Sequence, residues 1–375
     1  MYSKLLPILS YLIFSQLTFA KNNLNKRYII SGAEKKKLEK EFKGKGFIKN
    51  LKYHNAIAVN INPKALNGIT KNLQKKFGLT VQITEDSIAS INKKPSTPGN
   101  GGTTQPAQQV PWGINAISAQ SAFAFNKGAG AVVCVVDTGI DKDHPDLMDN
   151  IIGGENFVVK KGRVNASAWD DDNNHGTHVS GTIAALDNSI GVVGVAPEAS
   201  LFGVKVLNSR GSGYNSDVAE GVRSCIRNNA NVISMSLGSS SGTTILHEAI
   251  QDAAAAGIII VAAAGNDYGA PVGYPAAYPE VIAVSAVDSS NNLASFSNIG
   301  PEIDFTAPGV DILSTVKGGS YSSFNGTSMA TPHVSGDAAL LISSGRSSIK
   351  ADDIGLTIEE QGQGLVNALR TVSEY

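Results

Sequence analysis

At 375 residues, 42% hydrophobic and 17% charged, the chain is too apolar for a disordered tail and long enough for more than one folded unit. Its net charge of −1 hides an uneven distribution: residues 1–106 hold 18 Lys and Arg against 5 Asp and Glu, and the remainder holds 13 against 27. A basic segment with an acidic counterpart in the same chain argues for two pieces that dock on each other, and against a nucleic-acid partner.

In chain order, Lys4 precedes an apolar run over residues 5–19 that closes in Thr18-Phe19-Ala20. Residues 1–20 therefore read as a secretory signal peptide, too short to span a bilayer stably. No later stretch is long and apolar enough to do so, and no membrane partner is expected once the leader is gone. Residues 21–92 read as a small α+β domain, with strands at 28–30, 56–61, 79–83 and 87–91. Its helices fall at 34–43 and 63–77, the second with Pro63 in its first turn. Residues 93–107, rich in Pro, Gly and Thr, hold no core-forming side chains and read as a linker. A maturation cut is expected there, at a bond the sequence does not reveal.

Over 108–375, near-continuous apolar runs at 131–136, 200–206, 232–237, 258–263 and 281–287 alternate with helical stretches at 175–186, 214–229 and 243–256. A further helix begins near Thr327. Such runs suit strands buried on both faces, so the expected class is α/β, a mainly parallel central sheet with helices on both faces. The site of such a sheet lies at the carboxyl ends of its strands, where Asp137 and Gly265-Asn266 fall.

Three stretches carry chemistry: Val135-Val136-Asp137-Thr138-Gly139, Asn174-His175-Gly176-Thr177-His178 and Asn325-Gly326-Thr327-Ser328-Met329-Ala330-Thr331-Pro332. A carboxylate, an imidazole and a serine hydroxyl are the groups of a hydrolytic triad, and the order Asp, His, Ser distinguishes one of several unrelated solutions. The absence of Gly-x-Ser-x-Gly around Ser328 argues against an esterase of the α/β-hydrolase kind. His175 and His178 stand three apart without the H-E-x-x-H spacing or any further ligand motif, which argues against zinc. From Gln108 to Leu341 the chain resembles the subtilisin family of serine endopeptidases almost without gaps. The alternation of strands and helices before it resembles the ferredoxin-like prodomains that assist and inhibit those enzymes.

The resemblance implies roles for individual residues. Asp137 orients His175, His175 is the general base, Ser328 the nucleophile, and Asn266 donates to the oxyanion beside the Ser328 N–H; His178 is a structural neighbour. Gly211-Ser212-Gly213 and Ser236-Leu237-Gly238 are the two edges that pair with an extended polypeptide substrate. Ala263, Gly265 and Gly273 line a deep apolar pocket suited to Phe, Tyr, Leu or Met before the cut, with Asp267 at its rim. A Ca²⁺ site draws on the side chains of Gln108, Asp146 and Asn188 and the carbonyls of Leu186, Ile190 and Val192. The expected protein is a secreted, monomeric, calcium-stabilised endopeptidase of broad specificity, made as a precursor that its own prodomain inhibits and its own site matures. The alternative is a catalytically inactive binding protein of the same fold.

Several features are particular to this chain. The Asp137–His175 interval is longer than in compact subtilisins around Lys160-Lys161-Gly162-Arg163, where a surface loop is expected, and the stretch between Leu341 and Gly364 is shorter. Asp170-Asp171-Asp172 reads as a solvated loop able to bias a neighbouring subsite towards Lys or Arg. Cys134 and Cys225 are the only cysteines; a bridge and two buried thiols both remain open. Asn165-Ala166-Ser167 and Asn325-Gly326-Thr327 match glycosylation acceptors, the second expected to stay unused beside the nucleophile.

Overall fold

The computed structural model describes residues 25–91, 105–160 and 162–374. The signal-peptide reading and most of the linker fall outside them. The chain divides into two compact units: one contains the residues up to Asn50 and Asn55–Asp86, the other Leu51–His54 and the chain from Ser87 onward.

The first unit is a four-stranded antiparallel sheet, in spatial order β2 (Phe47–Asn50), β3 (Ile57–Ile61), β1 (Lys26–Ser31) and β4 (Gln82–Glu85). Helices α1 (Lys35–Phe42) and α2 (Leu66–Phe77) accompany it. Leu38 and Phe42, one helical turn apart, meet Tyr28, Ile30, Ile57, Val59 and Leu73 in a small core. Strand β2 has no counterpart in the sequence reading; four residues flanked by Gly44, Gly46 and lysines give too short a pattern. The strand expected at 79–83 begins later, because Gly78 takes φ +106° and a turn follows it. The strand expected at 87–91 does not join this sheet. It is β5 (Ile88–Ser90), which belongs to the second unit.

The second unit is built on a nine-stranded sheet. Its members, in chain order, are β6 (Val132–Asp137), β7 (Ile151–Asn156), β10 (Ser200–Lys205), β12 (Val232–Met235), β13 (Ile259–Ala263), β14 (Ile282–Val287), β15 (Ile303–Pro308), β18 (Ala351–Asp352) and β19 (Leu365–Val366). All neighbouring pairs are parallel except β18 with β19. The near-continuous apolar sequences of β6, β12 and β13 follow from this, since both faces of such strands are covered. Helices α5 (His175–Ala184) and α8 (Thr327–Ser344) pack against the sheet, as do α6 (Asn215–Arg227) and α7 (Thr244–Ala255), giving a three-layer α/β fold with helices on both faces. Among the described residues no helix is long and apolar enough to cross a membrane.

Outside the sheet, β8 (Val159–Lys160) and β9 (Arg163–Val164) form an exposed hairpin, which is how the expected surface insertion is accommodated. Cys134 in the middle of β6 and Cys225 on α6 form a disulfide, closing the question left by the sequence. It ties the sheet to α6 across 91 residues, a loop length at which the chain-entropy relation gives about 4–5 kcal/mol.

The shortened C-terminal stretch still returns to the core. The terminal helix over Ala368–Ser373 lies against α8, and Thr371 Oγ1 donates to Asp337 Oδ2 at 3.0 Å. Asp337 is fully buried, and among the described residues its Oδ1 has no hydrogen-bond partner. Burial pushes this carboxyl up to about 7. A folded-state value above the ordinary one means that protonation favours the folded chain. The contribution is complete in acid and is lost as pH rises through about 7. Thermal unfolding followed from pH 4 to 9 should therefore show a stability decline between about pH 4 and 7 that levels off at higher pH and that Asp337→Asn flattens, because Asn keeps the acceptor for Thr371 and has no proton to lose.

Candidate active site

The strands of the sheet deliver their carboxyl ends to one rim. Asp137 is the last residue of β6, Ser236-Leu237-Gly238 follows β12, and Ala264-Gly265-Asn266 follows β13. Asp137 has no solvent exposure. Its Oδ1 accepts the Thr138 N–H at 2.6 Å, and both carboxylate oxygens stand 2.9 Å from His175 Nδ1. A carboxylate only accepts, so Nδ1 carries the proton and Nε2 is the basic nitrogen.

His175 is the first residue of α5, and its helix start is organised by Asp171. The Asp171 carboxylate is buried and accepts from Thr138 Oγ1 (2.9 Å), Asn173 N (2.8 Å), Asn174 N (3.2 Å), Thr177 N (3.1 Å) and Thr177 Oγ1 (2.6 Å). Thr138 Oγ1 in turn accepts the Gly176 N–H at 2.9 Å. Asp171, Thr138 and Asn173 between them accept the first three N–H donors of the helix, and Asp171 ties the helix start to the residue after Asp137. This corrects the reading of 170–172 as a solvated loop: only Asp170 and Asp172 are exposed. Asp172 Oδ1 also pairs at 2.6 Å with the Nζ of Lys205, a buried lysine that donates to the carbonyls of Thr138 and Leu207. Sequence reasoning missed both Asp171 and Lys205. Neither is marked in the sequence: the N-cap position belongs to Asn174, three residues after Asp171, and a lysine ending an apolar strand has no pattern of its own.

Ser328 lies in the first turn of α8, after Gly326. Its hydroxyl donates to the Ser236 carbonyl at 3.2 Å. Ser236 Oγ returns a bond to the Ser328 carbonyl at 2.8 Å. Asn266 Oδ1 accepts from Thr327 N (2.8 Å) and Thr327 Oγ1 (3.0 Å), which fixes the amide so that its Nδ2 donor faces the other way. A Cβ on Gly326 would stand 3.5 Å from Asn266 Nδ2 and 3.5 Å from the Ser328 N–H. Two N–H donors therefore converge on a space that only glycine, here at φ +153°, leaves open.

His178 is separate from this chemistry. It stacks on Phe324 at 4.2 Å, and its Nε2 donates towards the carbonyls of Ile312 (2.9 Å) and Ser322 (3.1 Å). Burial pulls it down to about 3, so it is a neutral packing residue.

Of the remaining predicted residues, Gly211 precedes β11 (Ser212–Tyr214) and Gly213 is its middle residue, and β11 pairs with β5. Gly238 exchanges both backbone bonds with Ser90, Gly238 N to Ser90 O at 3.0 Å and Ser90 N to Gly238 O at 2.9 Å. A strand of this chain thus runs between the two predicted edges. Gly273 donates to the Ala264 carbonyl at 2.9 Å, between Ala263 and Gly265 in the chain, and Tyr274 bridges to Ser239. Asp267 is exposed, with its N–H on Asn298 Oδ1 at 2.7 Å.

The residues predicted to hold calcium also come together. Gln108 Oε1 accepts Asn188 N at 2.6 Å, Asp146 Oδ1 accepts Asn188 Nδ2 at 2.8 Å, and Asp146 Oδ2 accepts Val192 N at 2.9 Å. Burial pushes the Asp146 carboxyl up to about 6. Among the described residues the carbonyls of Leu186, Ile190 and Val192 accept no hydrogen bond. One buried carboxylate, two amides and three uncommitted carbonyls are a hard-oxygen donor set, which fits Ca²⁺ better than a transition metal.

Residues 128–368 match the family model for the Subtilase family. Subtilisin NAT of Bacillus subtilis subsp. natto is 44% identical over 337 residues, spanning 86% of this chain and 82% of the relative. Subtilisin DY of Bacillus licheniformis is 50% identical over 242 residues, 63% of this chain and 86% of the relative. A thermostable alkaline protease of Halalkalibacterium halodurans is 48% identical over 265 residues, 69% and 71% respectively. With the carboxyl-end rim of a parallel sheet carrying Asp137, His175 and Ser328 in that order, and likeness of this extent, the chain belongs to the subtilase family and is a serine endopeptidase of the subtilisin type.

Proposed function

We propose that the protein is a secreted endopeptidase of broad specificity that works through Asp137, His175 and Ser328, with Asn266 Nδ2 and the Ser328 N–H stabilising the oxyanion. The observation that carries this reading is the pair of donors converging at Gly326 beside a serine hydroxyl, with an imidazole already held in the Nδ1–H tautomer. Ser328 Oγ attacks the peptide carbonyl as His175 Nε2 takes its proton. The developing negative oxygen enters the space between the two donors. His175 then protonates the leaving amine, and water repeats the sequence on the ester to release the acid. Asp137 keeps the imidazole oriented and stabilises its charged form; Asp171 is a positioning residue acting through the start of α5.

Substrate recognition rests on backbone pairing with residues 211–213 and 236–238, which favours extended chains of varied sequence. Small side chains at Ala263, Gly265 and Gly273 support a preference for large apolar residues before the cut. Strand β5, taken from the precursor's own N-terminal part, pairs with both edges, and this supports a self-inhibited precursor. The apolar run at 5–19 and the disulfide both suit an oxidising destination outside the cytoplasm. Ca²⁺ on Asp146, Gln108, Asn188 and the carbonyls of the 186–192 loop would contribute stability rather than chemistry.

Three outcomes test this. Ser328→Ala should abolish hydrolysis of a fluorogenic peptide with Phe before the cut. Asn266→Ala should lower kcat by about 10²–10³ with KM little changed, a magnitude known for this donor in subtilisin itself and not drawn from the present geometry. An Asn266→Ala enzyme of undiminished kcat would remove the oxyanion assignment.

Asp171→Ala strands several buried donors and should cost about 3 kcal/mol or more in chemical denaturation. A loss of kcat that Asp171→Asn partly restores would separate positioning from mere folding.

Chelation of calcium should lower the Tm by about 5–10 °C if the ion is held near 100 times its Kd. The same treatment should leave the Tm of Asp146→Ala unmoved. Equal shifts in both proteins would dispose of the assigned ligands.

A further inference from the structure

Lys205 closes the apolar strand β10 with only 5% of its surface exposed. In the parallel sheet it stands in register with Asp137 of β6 on one side and Asn156 of β7 on the other. In-register neighbours send their side chains to the same face, on strands about 4.8 Å apart, so the ammonium shares its face with the Asp137 carboxylate. Its three hydrogens meet three acceptors: the Thr138 carbonyl, the Leu207 carbonyl at 3.0 Å and Asp172 Oδ1 at 2.6 Å. Each acceptor lies on a different working segment. Thr138 follows Asp137. Leu207 leads into the first of the two proposed substrate edges, where Asn208 N donates to the Ser212 carbonyl at 3.0 Å. Asp172 stands three residues before His175. Between those two, Asn174 takes φ +126°, a conformation that surrounding bonds must hold in place. Asn173 contributes to this, its Oδ1 accepting the His175 N–H at 3.2 Å and its Nδ2 donating to the Ser209 carbonyl at 3.1 Å.

Resting on the catalytic reading proposed above, we infer that Lys205 is a positioning residue. Its ammonium clamps the chain after Asp137, the chain before His175 and the start of the first substrate edge, and so sets the approach of the imidazole to Ser328. The clamp needs a charge rather than a filler, because two buried carbonyls and a carboxylate converge on one point. A neutral side chain of the same length would strand both carbonyls, and the Thr138 carbonyl belongs to the residue next to Asp137. Asp171 holds the start of α5 from its own backbone donors; Lys205 holds the segment that leads into it. A cavity of about 780 Å³ opens beside the ammonium, lined among others by Val158, Lys160, Arg163, Ala168 and Asp172. The β8–β9 hairpin thus supplies part of its wall. Through this space a small molecule from solvent can reach the place that a shortened side chain would vacate.

The test compares wild type, Lys205→Met, Lys205→Ala and Asp172→Ala, each made from the full chain, with rates on a fluorogenic peptide expressed per titrated active site. Lys205→Met keeps the length and loses the charge. Its kcat should fall about 10–100-fold with KM little changed, as for a small displacement of reacting groups. Propylammonium replaces the atoms missing from Lys205→Ala and should restore part of the kcat of that variant. The uncharged 1-propanol, of the same size, should not. Asp172→Ala, altered at a side chain that is 46% exposed, should show a smaller fall in kcat. A Lys205→Met enzyme of wild-type kcat would overturn the inference. So would a failure of the amine to do more than the alcohol, which assigns position 205 to packing. A raised KM at constant kcat would overturn it too, because the lysine would then serve the substrate edge alone. Should neither Lys205 variant fold, Asp172→Ala decides, and an unchanged kcat in that folded protein refutes the clamp. Wild type without turnover, or Ser328→Ala with it, would fail the catalytic reading instead.

Discussion

A carboxylate with no exposure to water at the end of β6 is the constraint around which the rest of the site is arranged. An ionised group so buried is tolerable only where donors surround it. Asp137 has the Thr138 N–H on one side and His175 Nδ1 on the other. That demand fixes the imidazole's tautomer before any substrate arrives. It also obliges the start of α5 to stay close to the end of β6, and a second buried carboxylate, Asp171, does this work by accepting from both Thr138 and Thr177. His175 is held by two carboxylates with different tasks, one for its ring and one for the backbone that carries it.

Ser328 is positioned by the same logic at another strand end. Asn266 Oδ1 takes both donors of Thr327, so the first turn of α8 is anchored to the segment after β13, and the amide's orientation is decided at the same stroke. The reciprocal bonds between Ser236 and Ser328 tie that turn to the segment after β12. Three strand ends and two helix starts therefore share one set of hydrogen bonds. Little reorganisation is left for the moment when negative charge develops, which is where such preorganisation has its value.

How much of this the sequence discloses depends on the range of the interaction. The parallel sheet was readable because burial on both faces leaves uninterrupted apolar runs, as in Val132–Asp137 and Ile259–Ala263. Asp137, His175 and Ser328 were readable because their neighbours repeat a known pattern. Asp171 was not, since an acidic triplet carries no sign of which member turns inward; that is decided by Thr138 and Thr177, distant in sequence or on the next helix. The pairing of Cys134 with Cys225 depended on α6 crossing β6, which composition cannot report. Strand β5 was found as a strand but not as a member of the second unit. Its sequence has the same alternation whichever sheet it joins, and pairing partners are set by register rather than by local propensity.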